Sequence, residues 1–190
     1  MIRFTTQTAC ILIILLLPWA SLASTNDDWK LAGTIVSSIQ SPNIPSVTFS
    51  IDDNSHTRKA ARETIQQTID KASQSGGGIV VIPKGRWLVN GSIHLKSKIN
   101  LHLEEEAELL FSGEPSDYLP VVKTRWEGTE VFTYSPLIYA NNVEDVAITG
   151  NGIIDGNADS TFIGWYDKQS DDMHALRKMG FDSVPVEQRV

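Results

Sequence analysis

The stretch Gly91–Phe111, with the sequence GSIHLKSKINLHLEEEAELLF, decides the fold class of this 190-residue chain. Its apolar residues come in short alternating bursts, a pattern that predicts half-buried β-strands. Equivalent positions such as Ile93 and Ile99 lie six residues apart. The polar segments between the bursts are too short for crossover helices, and Lys96-Ser97-Lys98 lacks the Asn-Gly or Asp-Gly of a tight hairpin. The pattern therefore favours an all-β solenoid of stacked coils over a sandwich or a barrel.

Residues 57–82 extend this pattern towards the N-terminus. Thr57–Ser73 reads as an amphipathic helix, and Gly76-Gly77-Gly78 ends it. The apolar run Ile79–Ile82 then reads as a buried strand. Because the first coil of a solenoid has an open end, we expect the helix to cover it. The residues on the apolar face of the helix are Ala61, Ile65, Ile69 and Ala72.

The first 23 residues read as a secretory signal peptide. Arg3 precedes the apolar run Ala9–Leu17, and small residues end the segment at Ser21-Leu22-Ala23. A membrane span needs about 20 apolar residues, and this run has nine. We therefore expect cleavage after Ala23, a secreted or periplasmic location, no membrane attachment after cleavage, and one domain over residues 24–190.

Composition excludes several kinds of partner and site. The net charge of −7 argues against a general nucleic-acid binder, which needs a basic face. The single cysteine, Cys10, lies in the predicted signal peptide, so the mature chain has no disulfide. His94 and His102 alternate with inward residues and are expected on the surface. No metal-ligand spacing is visible, and we predict neither a metal site nor a cofactor.

The segment Ser112–Ser135 interrupts the repeat, and long excursions of this kind are usually functional or disordered. Its residues Arg125, Trp126 and Glu127 are our candidates for binding a substrate, with Trp165 and Tyr166 behind them. An aromatic ring can stack on the apolar face of a sugar, while charged groups bind hydroxyls or a carboxylate. The alternative is that Trp126 only packs the excursion against the solenoid.

Several segments of the chain resemble known families. The pattern over residues 65–85, with Gly76-Gly77-Gly78 and Pro83, is similar to the opening of the pectin-lyase-like β-helix enzymes. Further segments resemble the polygalacturonases, the family 28 glycoside hydrolases, over most of residues 60–157. One departure is Ile51-Asp52-Asp53-Asn54, which does not fit the family pattern before the helix. The segments that carry the narrower resemblance are Gly91–Ser97, Leu101–Glu105, Asp117–Pro120, Thr124–Gly128, Tyr134–Ala140, Ile148–Gly152 and Ile154–Gly156.

The resemblance implies a right-handed parallel β-helix with an N-terminal cap helix. It also implies hydrolysis, with inversion, of α-1,4-galacturonosyl linkages in a pectic polysaccharide. Family members carry Asn-x-Asp, Asp-Asp, Gly-His-Gly and Arg-x-Lys motifs on later coils, and we expect none of these constellations in this chain. The pairs Asp27-Asp28, Asp52-Asp53 and Asp171-Asp172 read as solvated.

We therefore predict no catalytic residue in this chain, which looks like an N-terminal, truncated portion of such an enzyme. Its catalytic residues are then expected beyond Val190, and the chain alone is expected to be inactive. Two alternatives stay open. A polysaccharide lyase on the same fold needs a carboxylate cluster for Ca²⁺ and a basic residue, and a non-catalytic carbohydrate-binding solenoid needs neither.

Overall fold

The computed structural model describes residues 26–51 and 58–189. The predicted signal peptide and the Asp52-Asp53 pair lie outside these residues. The chain divides into two compact units, residues 1–41 and 42–190. In the first unit, helix α1 (Asn26–Ser38) carries exposed apolar side chains, among them Trp29 and Val36. None of the helices that the structure describes is long and apolar enough to cross a membrane.

The described part of the second unit consists of eleven short strands, two α-helices and several short 3-10 helices. The α-helices are α2 (Arg58–Gln74) and α3 (Gln169–Phe181). The strands are β1 (Thr48–Ser50), β2 (Gly78–Ile82), β3 (Gly85–Val89), β4 (Ile93–His94), β5 (Ile99–Leu103), β6 (Ala107–Phe111), β7 (Val122–Trp126), β8 (Thr129–Thr133), β9 (Ile138–Tyr139), β10 (Ala147–Gly150) and β11 (Ile153–Asp155).

Nine of these strands stack in three parallel sheets. The sheets have the orders β1-β2-β5-β10, β3-β6-β11 and β4-β9. In the first sheet Val80 pairs with Leu101, which pairs with Ile148 in the next coil. Because residues in register on parallel strands stack directly, the inward side chains form columns. The predicted stacking of parallel strands at repeated apolar positions is confirmed by this register.

The core lies between the three sheets, and its side chains become exposed at the third coil. Leu101 and Leu109 on the second coil are completely buried. Their partners in register, Ile148 and Ile154, are 47% and 41% exposed. The inward columns are therefore shielded in the first two coils and open to solvent at β10 and β11.

Helix α2 packs its apolar face against β2 and β3. All four residues predicted for this face are completely buried, so the periodicity of the helix is confirmed. Outside this face, Arg62 Nε donates a hydrogen bond to the Ser92 carbonyl at 3.3 Å, and Gln66 contacts the main chain of His94. The helix ends where Gly76 and Gly77 take positive φ angles of 97° and 109°, which glycine adopts readily.

The excursion between β6 and β9 leaves and rejoins the solenoid at adjacent points. Ser112 N–H donates to the Val89 carbonyl at 2.8 Å, and Ile93 N–H donates to the Leu137 carbonyl at 2.9 Å. Between them lie a 3-10 helix over Pro115–Tyr118 and the antiparallel pair β7 and β8. The excursion is therefore ordered around a hairpin, which the sequence analysis does not identify.

Candidate functional site

The β7–β8 hairpin has a two-residue turn, because Trp126 pairs with Thr129. The turn residues Glu127 and Gly128 both have positive φ angles, 48° and 83°. This is the type I′ geometry, whose twist matches that of the flanking strands. Gly128 at the second turn position is the one sequence feature that indicates this turn. The pattern is not recognised as a hairpin turn because Glu127 stands where Asn or Asp is usual.

The hairpin separates the three predicted substrate-binding residues. Successive side chains on a strand point to opposite faces, so Arg125 and Trp126 cannot share one. Arg125 is paired with Glu130 and is exposed, whereas Trp126 is paired with Thr129 and is half-buried. Glu127 lies in the turn, and its Oε2 accepts a hydrogen bond of 3.2 Å from Nη2 of Arg177 on α3. All three residues therefore lie on one hairpin, but their side chains have different neighbours.

Trp126 lines a cavity of about 620 Å³, which we call the aromatic groove. The groove lies between the hairpin and the segment 165–176 that includes most of α3. The ring of Trp165 packs against Tyr134, with a centroid distance of 5.9 Å, and edge-on against Phe162 at 5.2 Å. The groove thus combines aromatic faces with polar side chains at its wall. Its other side-chain lining includes Thr124, Thr133, Lys168, Gln169 and Asp172.

Glu127 lines a second cavity of about 680 Å³, which we call the arginine cavity. Three arginines line it, Arg125, Arg177 and Arg189, together with Glu127 and Glu130. Phe181, 89% exposed, lies at its edge. Arg125 lines both cavities, so the two are adjacent across strand β7.

The two secondary candidates lie in different places. Trp165 lines the aromatic groove, whereas Tyr166, 74% exposed, lines neither cavity. Arg177, Phe181 and Arg189 were not predicted from sequence. They lie about fifty residues or more beyond the hairpin, and no local pattern marks them as its neighbours.

The acidic residues Asp159, Asp171 and Asp172 lie at exposed positions. Asp171 and Asp172 lie exposed in the first turn of α3, as the sequence analysis expects. A literal Asn-x-Asp match occurs at Asn157-Ala158-Asp159, but it opens a 3-10 helix and Asp159 is exposed. Within residues 26–51 and 58–189, no three His, Cys, Asp or Glu side chains gather closely enough to hold a metal ion.

Perturbed pKa values mark two places near the excursion. Burial, with a smaller effect of Arg62, lowers the pKa of His94 at the contact between α2 and β4. Burial, with a smaller effect of Asp117, raises the pKa of Tyr118 to about 12. Tyr118 is buried and donates a hydrogen bond of 2.6 Å to the Ser112 carbonyl.

Comparison with known proteins identifies relatives of this chain. No protein-family model matches it. It is 35% identical over 111 residues to a probable polygalacturonase of Vitis vinifera, which corresponds to 55% of the chain. It is also 34% identical over 86 residues, 39% of the chain, to a plasmin and fibronectin-binding protein A of Streptococcus pneumoniae. Among solved structures, a hyperthermoactive exopolygalacturonase from Thermotoga maritima matches 85% of the chain with 34% identity and a TM-score of 0.74.

The chain spans only part of each of these proteins. It covers 22% of the Vitis protein, 12% of the Streptococcus protein and 39% of the Thermotoga structure. Within that span, both sequence identity and chain path agree with proteins named polygalacturonase. The resemblance to the polygalacturonases that the sequence motifs indicate is thereby confirmed.

Proposed function

We propose that this chain is part of an exported, pectin-degrading glycoside hydrolase of polygalacturonase type. The observation that carries the proposal is the similarity to the Thermotoga exopolygalacturonase, at a TM-score of 0.74 and 34% identity over 85% of the chain. The similarity to the Vitis protein supports it independently at the level of sequence. The linkage hydrolysed is then the α-1,4-galacturonosyl bond of a pectic polysaccharide.

The proposal includes a right-handed, closed β-helix whose first coil is covered by α2. The register of nine parallel strands supports the helix. The burial of Ile65 and Ile69, together with the hydrogen bonds from α2 to the main chain of Ser92 and His94, supports the covering role. In this role α2 shields the apolar end of the coil and satisfies main-chain groups of the strand edge.

Within this function the chain contributes substrate binding, and we assign the β7–β8 hairpin to it. Arg125 and Trp126 line adjacent cavities that offer a cation and aromatic surface. Pockets that bind small polar ligands commonly combine apolar walls with a few fixed polar groups. Chemistry is assigned to groups outside this chain, since its sequence lacks the combination of catalytic motifs of the family.

The test uses the purified 190-residue chain. Electrophoresis through gels containing polygalacturonate should show retarded migration relative to gels without polysaccharide. Reducing-end release from polygalacturonate should equal the buffer blank. Retardation by neutral galactan but not by polygalacturonate contradicts the substrate assignment, and reproducible release of reducing ends contradicts the assignment of chemistry to groups outside the chain.

Export has its own measurement. The full chain expressed in a bacterium with an intact secretion system should appear outside the cytoplasm, with its N-terminus beginning at Ser24. A cytoplasmic product that retains Met1–Ala23 would contradict the signal-peptide assignment.

A second candidate function is a non-catalytic binding solenoid. The observation that favours it is the 34% identity to the plasmin and fibronectin-binding protein A over 86 residues. The same gel experiment separates the two candidates when fibronectin is immobilised in place of the polysaccharide. Capture by fibronectin without retardation by polygalacturonate would favour the binding protein.

A further inference from the structure

We infer that the arginine cavity is a subsite for the carboxylate of a uronic-acid sugar, and that Glu127 occupies Arg177 until that carboxylate displaces it. The inference rests on the proposed function, because it assumes a pectic substrate. It goes further by assigning the charged group of the substrate to one cavity and by giving Glu127 a role other than sugar binding.

Local charge at the arginine cavity supports this assignment. The chain carries a net charge of −7, yet three arginines line this cavity against two glutamates. One of these carboxylates, that of Glu130, also forms an ion pair with Lys123 at 3.1 Å, and Lys123 lies outside the cavity lining. A cavity with an excess of positive charge on a negative protein concentrates anionic ligands locally.

The arginines of the cavity retain N–H groups that can bind a ligand. A guanidinium has five N–H groups in a planar fork that matches a carboxylate. Arg125 donates to the Gly128 carbonyl at 2.9 Å, and Arg189 donates to the carbonyls of Val184 at 2.9 Å and Glu130 at 3.1 Å. These main-chain contacts hold Arg125 and Arg189 in place while leaving most of their N–H groups available.

The exposure of the Arg177–Glu127 ion pair supports its displacement by a ligand. The two side chains are 42% and 50% exposed, and Arg177 Nη2 lies 3.2 Å from Glu127 Oε2. An exposed pair of this kind contributes little to stability. The pair holds the Glu127 carboxylate against the Arg177 guanidinium, at the position that a uronate carboxylate would take. Glu127 is therefore an internal competitor for the ligand.

The neighbouring aromatic groove supplies a surface for the sugar ring. Arg125 lines both cavities, so a sugar unit against Trp126 or Trp165 lies in the cavity adjacent to the arginine cavity. A polyuronate chain presents a ring with apolar C–H faces and a carboxylate in each unit. The two cavities match these two features separately. A phosphate group would also bind the arginines, but it has no apolar face that could pack in the aromatic groove.

Isothermal titration of the 190-residue chain with trigalacturonate, at low ionic strength, tests the inference. Arg177→Gln should weaken binding about tenfold, because it removes a charge-assisted hydrogen bond. Glu127→Asn should tighten binding up to about fivefold, since losing an exposed pair costs little and frees Arg177. Asn also suits the positive φ of this turn position, so the hairpin should persist. The methyl ester of trigalacturonate should bind about tenfold more weakly than the acid.

Arg86→Gln is the matched control, because Arg86 is an exposed arginine paired with Glu108 at 3.4 Å on the separate β3-β6-β11 sheet. Its affinity should equal that of the wild type. If Glu127→Asn weakens binding, Glu127 contacts the sugar and the inference is wrong. If wild type binds but Arg177→Gln or the methyl ester binds equally well, the cavity is not a carboxylate subsite, while the proposed function stands. If the wild-type chain binds no pectic oligosaccharide, both this inference and the proposed substrate binding are wrong. Melting temperatures of each variant show whether an effect on binding reflects unfolding.

Discussion

The side-chain amide of Gln66 forms hydrogen bonds with both main-chain polar groups of His94. The His94 N–H donates to Gln66 Oε1 at 2.9 Å, and Gln66 Nε2 donates to the His94 carbonyl at 3.0 Å. A neighbouring β-strand would satisfy these groups in the same way. Gln66 lies on α2 and His94 on β4, the edge strand of its sheet, so the amide stands in for a missing strand. Helix α2 thereby protects the edge as well as the core.

Replacing Gln66 by Leu should lower the free energy of unfolding by about 2 kcal/mol, because two part-buried main-chain groups lose their partners. Chemical denaturation of the chain measures this difference. Gln67→Leu is the matched control, since Gln67 is the next residue of α2 and is exposed. Equal effects of the two variants would show that the contact with His94 contributes nothing.

Acidification should destabilise the chain below about pH 6.5 through His94. Burial lowers the pKa of this imidazole in the folded state, with a further contribution from Arg62, and Asp70 opposes the shift. In that pH range the unfolded state binds more protons than the folded state, so stability falls as the pH falls. Melting temperatures at pH 7.5, 6.5 and 5.5 should decline less in His94→Gln than in the wild type.

His174, exposed on α3, supplies the control for this measurement, and His174→Gln should leave the slope unchanged. Asp70 adds a separate effect in stronger acid. Burial raises the pKa of its carboxyl, but hydrogen bonds from Lys96 and Gln66 outweigh this and lower it. The stability from this carboxylate is therefore lost only as the pH falls below its ordinary range. A steeper wild-type decline above pH 7 than below it would contradict the assignment to His94.

Removing the hydroxyl of Tyr118 should cost about 1 to 1.5 kcal/mol, because the buried Ser112 carbonyl loses its donor. Its pKa, raised by burial to about 12, adds a signature in alkaline solution. The unfolded tyrosine ionises near pH 10 and the folded one does not, so stability falls as the pH rises above 10. Tyr118→Phe should show a smaller decline between pH 9 and 11. Tyr166→Phe, which alters an exposed ring, should behave as wild type.

Gly128→Ala should destabilise the hairpin by about 1 to 2 kcal/mol through backbone conformation alone. Gly128 has a φ of 83°, and no atom lies within 4 Å of the position that an added Cβ would take. Gly164→Ala is the control, because its surroundings are equally open and its φ is not in the left-handed region. Chemical denaturation should separate the two variants, and equal stabilities would mean that the turn does not require a positive φ.

Trp126→Ala should weaken binding of trigalacturonate with little loss of stability, because the half-buried ring faces the aromatic groove. Isothermal titration and thermal unfolding of the same preparation give both quantities. Trp29→Ala, in the separate N-terminal unit, removes an exposed indole and serves as the control. A large fall in melting temperature with unchanged affinity would support the alternative that Trp126 only packs the excursion.

The sequence by itself determined the inward faces of the solenoid strands β5 and β6 and the buried face of α2. Both follow from local periodicity: alternation places Leu101 and Leu109 inside, and helical spacing places Ile65 and Ile69 against the sheets. These assignments need no knowledge of distant residues, because a strand or helix with one apolar face has only one way to bury it.

Only the tertiary structure decided the composition of the candidate site. The extended conformation of β7 places Arg125 and Trp126 on different faces, and the turn that follows gives Glu127 different neighbours from both. The packing of the segment after residue 160 brings Arg177 to Glu127 and Arg189 to Glu130, across 50 and 59 residues. Such contacts depend on where a later segment of the chain packs against an earlier one. A local sequence pattern does not show which distant residues will be neighbours in the fold. The physical reason is that side-chain direction follows from the backbone nearby, whereas a neighbour across space follows from the path of the whole chain.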